Sequence, residues 1–487
     1  MMIKQPEKKR KIKKMRNKFF TIFFLFLFAM YSLYAQTTKE FTFEEFIEIV
    51  QKNHPFVNQA RLLQKAAQAQ LMQARGSFDP VITSNFAEKE FTAKEYYTNW
   101  DGYLKVPTWF GPDLKLGIDN RFGNFVNPEE VTPPGGLLYA GINIPLGQGI
   151  IIDERRAILK QAKIAVKLNA AQQQSVINKI IKSASKDYWE WYYYYKQFKL
   201  YETGLILAEF RLRAINERIK FGDEAPIDSV EAKIEVQNRI ALLNRAQLNY
   251  KNYALIVSNY MWTQDGSPLE LKENVVPSDK GTDLRNNITS DTLKTRMDWA
   301  NVNHPDILKQ TYKIDQLKID RKLNIEMLKP NVNINAGTLG FATPYNLDFS
   351  SSSLQTNYKI GMDVYVPIFM RKQRGKLKQT NVKLMDADYE LDYLGLSVKN
   401  GIMMAFNEMF AIQQLMPVQR DNVQNSIVLR DAEQRKFENG ESSLFLINTR
   451  EQKLIESQIK LEKLKADYAK SKVDFMFSTG VIRFNDF

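Results

Sequence analysis

Apolar positions recur along this chain at two different periods, and the longer period dominates. From Asp153 to Phe221, 69 residues run without a proline and with a single glycine, Gly204. Within that stretch Leu205, Ala208, Leu212, Ile215 and Ile219 recur at spacings of 3, 4, 3 and 4. Near the C-terminus Leu454, Leu461, Leu464 and Tyr468 hold a similar seam. Such heptad spacing predicts helices lying side by side as coiled coils. At ~1.5 Å per residue the first is a rod of ~100 Å. No single globular core buries two rods of that length, so they must pack on each other and on further copies. Phe56–Arg75 and Pro226–Trp262 give two shorter helices, which stacked end to end span ~86 Å. That nearly matches one long rod and predicts a tubular wall.

The shorter period marks strands. The segments VITSNFAEKEF from Val81 and LLYAGINIPL from Leu137 bracket one strand region, and NVNINAG from Asn331 and YKIGMDVYVPI from Tyr358 bracket another. VNINA and YKIGMDVYV alternate in character, as strands with two unlike faces do. Aromatics crowd both regions: Tyr96, Tyr97, Trp100, Tyr103, Trp109 and Phe110, then Phe341, Tyr345, Phe349 and Tyr358. They fit the interfacial girdles of a membrane barrel or the core of a soluble sandwich, and the sequence leaves both open. Asn127-Pro128, Pro133-Pro134-Gly135-Gly136 and Asp348–Ser353 read as loops.

The chain is written twice. Asn53-His54-Pro55 recurs as Asn303-His304-Pro305, and Pro80 as Pro330, at an offset of 250. Leu159-Lys160-Gln161 recurs as Leu377-Lys378-Gln379, and Gly222 as Gly440, at an offset of 218. The first half therefore carries about 32 extra residues between Pro80 and Leu159, most of them expected in a loop. Each half reads as helix, strand pair, very long helix, tip and shorter helix. The boundaries expected are 1–35 for a signal peptide, 36–290 for the first repeat with its linker, and 291–487 for the second with its C-terminal segment.

Charge changes the picture only at the start. Of the formal +13, a net +8 lies before Phe19, where nine basic residues face Glu7 alone. The remainder is a mixed solvated surface rather than a phosphate-binding face, so nucleic acid is not expected as a partner. The apolar run Phe19–Leu33 follows, then Tyr34-Ala35-Gln36. That tripartite pattern predicts a secretory signal, a mature chain from near Gln36 and export. Translation from Met15 would give a more typical signal than Met1. The alternative, an N-terminal anchor, has a run short for a ~30 Å hydrocarbon core.

Candidate chemistry is sparse. The chain has no cysteine, which excludes disulfides, thiol catalysis, Cys-ligated metal and an acylated N-terminal Cys. The two histidines, His54 and His304, occupy equivalent places in the repeat and have no acidic or Cys partners at ligand spacing. Asn-His ahead of Pro sets a helix start, with proline where its missing N–H costs nothing. Carboxylates are scattered over heptad surfaces, and Gly135-Gly136 lacks the Lys-Ser/Thr of a P-loop. No catalytic set, cofactor site or metal site is expected. The string Tyr188-Trp189-Glu190-Trp191-Tyr192-Tyr193-Tyr194-Tyr195 lies ~54 Å along a helix from the sheet, too far for a membrane girdle. It is expected to pack in a belt with Phe41–Gln51, the linker Gly266–Ser290 and the C-terminus.

Together these features resemble the TolC-like outer-membrane efflux proteins, over essentially the whole mature chain. The most specific pieces are the tips, FGDEAPIDSV from Phe221 and GESSLFLI from Gly440, with the Asn-His-Pro helix starts and Pro145-Leu146-Gly147 at the end of the barrel. The glycine allows a φ > 0 turn, and the Ser, Asp or Pro that follows restarts a helix. The resemblance implies an α+β membrane protein built from an internal repeat. It implies a homotrimer in which four strands per chain make a 12-stranded β-barrel in outer-membrane lipid, continued by a coiled-coil α-helical barrel in the periplasm. It further implies a non-enzymatic exit duct of a tripartite efflux or type I secretion system, working with a periplasmic adaptor and an inner-membrane transporter. The tips Gly222, Asp223, Glu224, Asp228, Gly440, Ser442, Ser443 and Leu444 then dock the adaptor and form the periplasmic gate, with acidic charge favouring cations at the mouth. A periplasmic coiled-coil adaptor or interaction protein is the alternative. The absence of a lipobox Cys and the long first strand region depart from many relatives.

Overall fold

Repeated spacing of small residues lets the helices lie close. In a computed structural model describing residues 39–281, 290–343, 346–348 and 356–480, helix α1 (Phe43–Asn53) leads into α2 (Pro55–Gly76), and α3 spans Glu154–Phe221. Ala60, Ala67 and Ala74 are buried seven residues apart on α2, the spacing of a left-handed coiled-coil seam. The expected signal peptide lies outside the described residues, as do Tyr345 and Phe349.

The second repeat copies the first in its helices. Helix α4 (Pro226–Ser258) completes the first hairpin, and α5 (Ser290–Asn303) and α6 (Pro305–Glu326) open the second half. Helix α7 (Arg371–Glu438) and α8 (Leu444–Ser478) form the second hairpin. The two long rods are each 68 residues, and α2 and α6 are each 22. Nearest the sheet the helices pack in the order α2, α3, α6, α7, and toward the tips in the order α4, α3, α8, α7. The wall is thus four helices wide throughout, and the predicted stacking of two short helices against each long one is what forms.

Polar cross-links fix the register between these rods. Gln161 donates to Asp320 at 2.6 Å, Gln310 to the Ala387 carbonyl at 2.8 Å, and Asn324 to Thr380 at 2.9 Å. The histidines do what the sequence predicts: His54 and His304 are the N-caps of α2 and α6. Each ring Nδ1 accepts the backbone N–H two residues on, at 3.3 and 3.2 Å. Burial lowers the pKa of both rings, which keeps the accepting neutral form.

Midway along α3 the aromatic string is core. Tyr188, Trp189, Trp191 and Tyr192 are buried among Phe41, Phe43, Phe46, Ala466, Val473 and Met476. The Tyr188 hydroxyl donates to the Phe41 carbonyl at 2.7 Å. Strand β1 (Lys39–Phe41) pairs in parallel with β6 (Val275–Pro277) beside it, and Asn178 donates to the Gly480 carbonyl at 2.9 Å. The N-terminal segment, the linker and the end of α8 therefore gather at the waist as expected.

The sheet corrects the strand count. Its first half holds β2 (Val81–Phe91), β3 (Lys94–Pro107), β4 (Asp113–Phe122) and β5 (Leu137–Pro145). Its second half holds β7 (Asn331–Thr343), a three-residue β8 (Asn346–Asp348) and β9 (Tyr358–Tyr365). The long strands run β2-β3-β4-β5-β7-β9, each antiparallel to the next. A chain thus carries six long strands, where four were expected. The surplus of the first repeat is a strand pair and not mostly loop. Thr92 and Ala93 make the tight turn from β2 into β3 at φ 53° and 52°, positions where glycine or asparagine is usual, so only Gly111-Pro112 in the turn from β3 to β4 marked the pair.

Candidate functional site: sheet faces and hairpin tips

Register sorts the sheet's side chains onto two unlike faces. Trp100 lies beside Phe86 and Asn120, Leu104 beside Ile82 and Leu116, and Gly102 beside Ser84 and Ile118. Continuing across, Leu114 pairs with Ile142, Ile144 with Ile334, and Ile334 with Met362. Successive residues of a strand point to opposite faces, so this face is an almost continuous apolar band. Ile82, Leu116, Ile360 and Met362 on it stand exposed, Ile82 at 81%. An exposed apolar sheet face of this extent is one that meets lipid or another protein. The aromatics divide accordingly. Trp100 and Tyr358 share the apolar face. Tyr96 sits where the β2–β3 register shifts, with the Lys89 ammonium 4.7 Å from its ring centroid, and Trp109 and Phe110 stand exposed at the turn between β3 and β4.

The opposite face is polar and internally paired. The Tyr103 hydroxyl donates to Asp119 at 2.6 Å, and the Lys115 ammonium lies 3.5 Å from the Tyr103 ring centroid. Arg121 faces Asp101 at 3.6 Å and Glu130 at 3.4 Å. Asn335 donates to Asp363 at 3.0 Å. Tyr103 and Tyr139 lie over Gly117, Gly141 and Gly337, where a Cβ would collide with their rings. At the foot of the sheet Asp113 joins Lys105 at 3.2 Å and Arg155 of α3 at 3.0 Å. That ion pair fixes the sheet to the helical wall.

Both tips turn as predicted, on glycine. Gly222 has φ 81° and Gly440 φ 77°, the left-handed region that side chains avoid. Proline at the first position opens α4, whose N-cap Ala225 makes no side-chain bond. Asp228 sits in that first turn, where its charge complements the helix dipole. Ser443 caps α8 by accepting from Leu446 at 3.3 Å. Ser442 donates to Glu433 at 2.6 Å, which together with Arg450 holds that carboxyl below its usual range.

Two site expectations change. Leu444 is not on the outer surface: it is 4% exposed and packs with Ile215, Ala232 and Ile447 between the two hairpins. The acidic mouth is also weaker than its residue types suggest. Glu224 is paired with Arg218 at 3.0 Å, and Arg218 also reaches the Glu438 carbonyl at 3.5 Å, tying one tip to the other. Asp223 remains exposed. The sequence reading missed the apolar surface at the tips: Phe221 is 79% exposed, Ile227 69% and Phe445 65%. Their signal was present, since each lies beside a turn or helix-start residue: Phe221 before Gly222, Ile227 after Pro226 and Phe445 after Leu444.

A buried ionic knot lies between the tips and the waist. Glu451, 2% exposed, accepts from Arg211 at 3.1 Å and from Arg239 at 3.2 Å. Arg239 also binds Glu235 at 2.6 Å, and Gly204 gives it room. Among the described residues no group of three or more His, Cys, Asp or Glu could hold a metal, and no helix is long and apolar enough to cross a membrane.

A sheet with one apolar and one ion-paired face continues into a wall of ~100 Å rods. This chain has the fold of the TolC-like outer-membrane efflux proteins. The outer-membrane channel CmeC of Campylobacter jejuni shares it with a TM-score of 0.61 at 15% identity, covering 90% of this chain and 85% of that one. The open-state MtrE outer-membrane channel of Neisseria gonorrhoeae matches at 0.63 and 12% identity, over 90% and 88%. By sequence, the outer-membrane efflux protein BepC of Brucella suis is 21% identical over 284 residues. That match spans 58% of this chain and 59% of the relative's length. No family model matches the sequence.

Proposed function

We propose that three copies of this chain form an outer-membrane channel, the exit duct of a tripartite efflux or type I secretion system, and that it moves its cargo without performing a reaction. The observation that carries this reading is the sheet itself. Its outer strands β2 and β9 are exposed along their whole length, and Ile82, Leu116, Ile360 and Met362 on its apolar face stand exposed. In lipid every backbone N–H and C=O must be satisfied, and an open edge fails that requirement. Closure against further copies removes both edges at once. The polar face then lines the bore, and the helical wall continues it into the periplasm.

The relatives are named as outer-membrane efflux proteins and channels, which supports the same location here. A periplasmic adaptor and an inner-membrane transporter are the partners proposed, docking at the tips. Gly222, Asp223, Glu224, Asp228, Gly440, Ser442 and Ser443 are the turn residues of that surface, with Phe221, Ile227 and Phe445 as its apolar contacts. Native mass spectrometry of the detergent-extracted protein tests the assembly. Trimers of chains beginning near Gln36 are expected; a stable monomer, or chains retaining Phe19–Leu33, would overturn the reading.

A further inference from the structure

The strand pair β3–β4 has no counterpart among the described strands of the second repeat. Its placement says what it does. From the turn at Thr92–Ala93 strand β3 runs the full height of the sheet, so that Lys105 lies beside Val81. Strand β4 starts at the foot, with Asp113 beside Pro107 and Asn143, and climbs back. Neither strand protrudes as a free hairpin. Both are hydrogen-bonded on two sides, between β2 and β5.

Their side chains obey the same two-faced rule as the rest of the sheet. Trp100, Leu104, Leu114, Leu116 and Ile118 continue the apolar band, and Tyr103, Lys115, Asp119 and Arg121 form the ion-paired face. A loop above a membrane has no need of that alternation. The salt bridge from Asp113 to Arg155 also seats the lower turn on the helical wall.

Width gives a second, independent argument. Each chain is four helices wide, which at 8–10 Å between axes makes about 36 Å of wall. Strands 4.8 Å apart and tilted by ~40° take about 6.2 Å of circumference each. Six strands then cover about 37 Å and four only about 25 Å. The six-stranded sheet matches the helical wall beneath it.

We propose that β3 and β4 are wall strands, and that three copies of six close an eighteen-stranded barrel as wide as the helical tube. The outer-membrane end of the duct then imposes no narrowing of its own. Cargo is limited in size at the periplasmic tips, and solutes too bulky for a twelve-stranded barrel pass the exit. This rests on the channel reading, which supplies the three copies.

The chain lacks cysteine, so single cysteines report cleanly. In outer membranes, a charged methanethiosulfonate reagent is applied to variants in three strands. The pair Asn335→Cys and Ala336→Cys in β7 tests the channel reading. Asn99→Cys with Leu104→Cys in β3, and Lys115→Cys with Leu116→Cys in β4, test the inserted pair. Bore-facing positions 99, 115 and 335 are expected to react at least about ten-fold faster than 104, 116 and 336, because a thiolate does not form in hydrocarbon. If β7 alternates while β3 and β4 react alike at both positions, the hairpin lies outside the wall and this inference falls alone. If β7 fails to alternate, the channel reading falls and takes the inference with it. Width is read separately, from the largest polymer-linked maleimide that reaches Asn335→Cys from the outside. Deleting residues 93–122 in that background should lower this limit, and an unchanged limit in trimers that still reach the outer membrane refutes the wider bore.

Discussion

The two repeats agree in their helices and disagree in their sheets, and the disagreement shows which architecture accepts change. Long rods of 68 and 68 residues, upper helices of 22 and 22, and lower helices of 33 and 35 match almost residue for residue. The first repeat nonetheless has four long strands to the second's two. A helical wall is held by heptad seams running its whole length, so an insertion in one rod puts every later contact out of phase. A sheet grows sideways. Two strands added together leave the chain at the edge it started from and running in the same direction, and each neighbour still finds a hydrogen-bonding partner.

The sharpest way to break the helical agreement is at a buried asymmetry between the repeats. Arg239 and Glu451 correspond, at the offset of 218, to Ser457 and Lys233, so the knot belongs to one arrangement only. Glu451→Ala strips Arg211 of its carboxylate partner and leaves Arg239 with Glu235 alone. A loss of about 3–5 kcal/mol is expected, seen as a large fall in the temperature at which the assembly dissociates in detergent. Lys233→Ala, on the partner repeat, should do almost nothing by the same measurement.

The tips offer the next contrast. Leu444 fills the space between hairpins, and Pro226 holds the matching place in the first repeat. Leu444→Ala should cost about 2–4 kcal/mol in the same melt. Gly222→Val and Gly440→Val should act equally on both repeats, each straining its turn by about 1–3 kcal/mol. Export is expected to drop while assemblies still reach the outer membrane. Normal export by both variants, or loss of the assembly, would remove the tips as docking and gating surface.

The smallest effect tests the symmetry of the histidine caps. Only the neutral ring accepts, and burial lowers both folded pKa values. As pH falls, the unfolded chain therefore takes up protons first, from about 6.5. The contribution of each cap is fully present above that value and is lost as pH falls from there through the lowered folded values. About 0.5–2 kcal/mol per cap is at stake. His54→Asn with His304→Asn should flatten a melt profile taken from pH 7.5 to 5, and an equally steep profile in the double variant would deny the caps that role.

The helices were legible because a 3.6 period sustained over 60 or more residues leaves no competing pattern, and the Asn-His-Pro repeats set their starts. Strands β2, β5, β7 and β9 were legible where Pro80, Pro145, Pro330 and Pro367 punctuate them. The inserted pair was hidden for two reasons. Its upper turn uses Thr92 and Ala93, without glycine or asparagine, and its polar face carries tyrosines that blur a two-residue alternation. At the tips the turns were readable from Gly222 and Gly440, but the burial of Leu444 was not. A residue at the start of a helix takes its surroundings from another hairpin, and no local spacing reports that.

The parallel ribbon of β1 and β6 sets an order of assembly. Lys39 finds its neighbour only at Val275, and Phe43 and Phe46 rest on a floor completed by Ala466, Ala469 and Val473. The first described segment of the chain is thus among the last to settle, because the residues it packs on come hundreds of positions later. Closing so long a loop is slow, and until it closes the waist of the tube stays unlatched. A chain synthesised from this end must wait, with its aromatic residues exposed, until its final helix is in place.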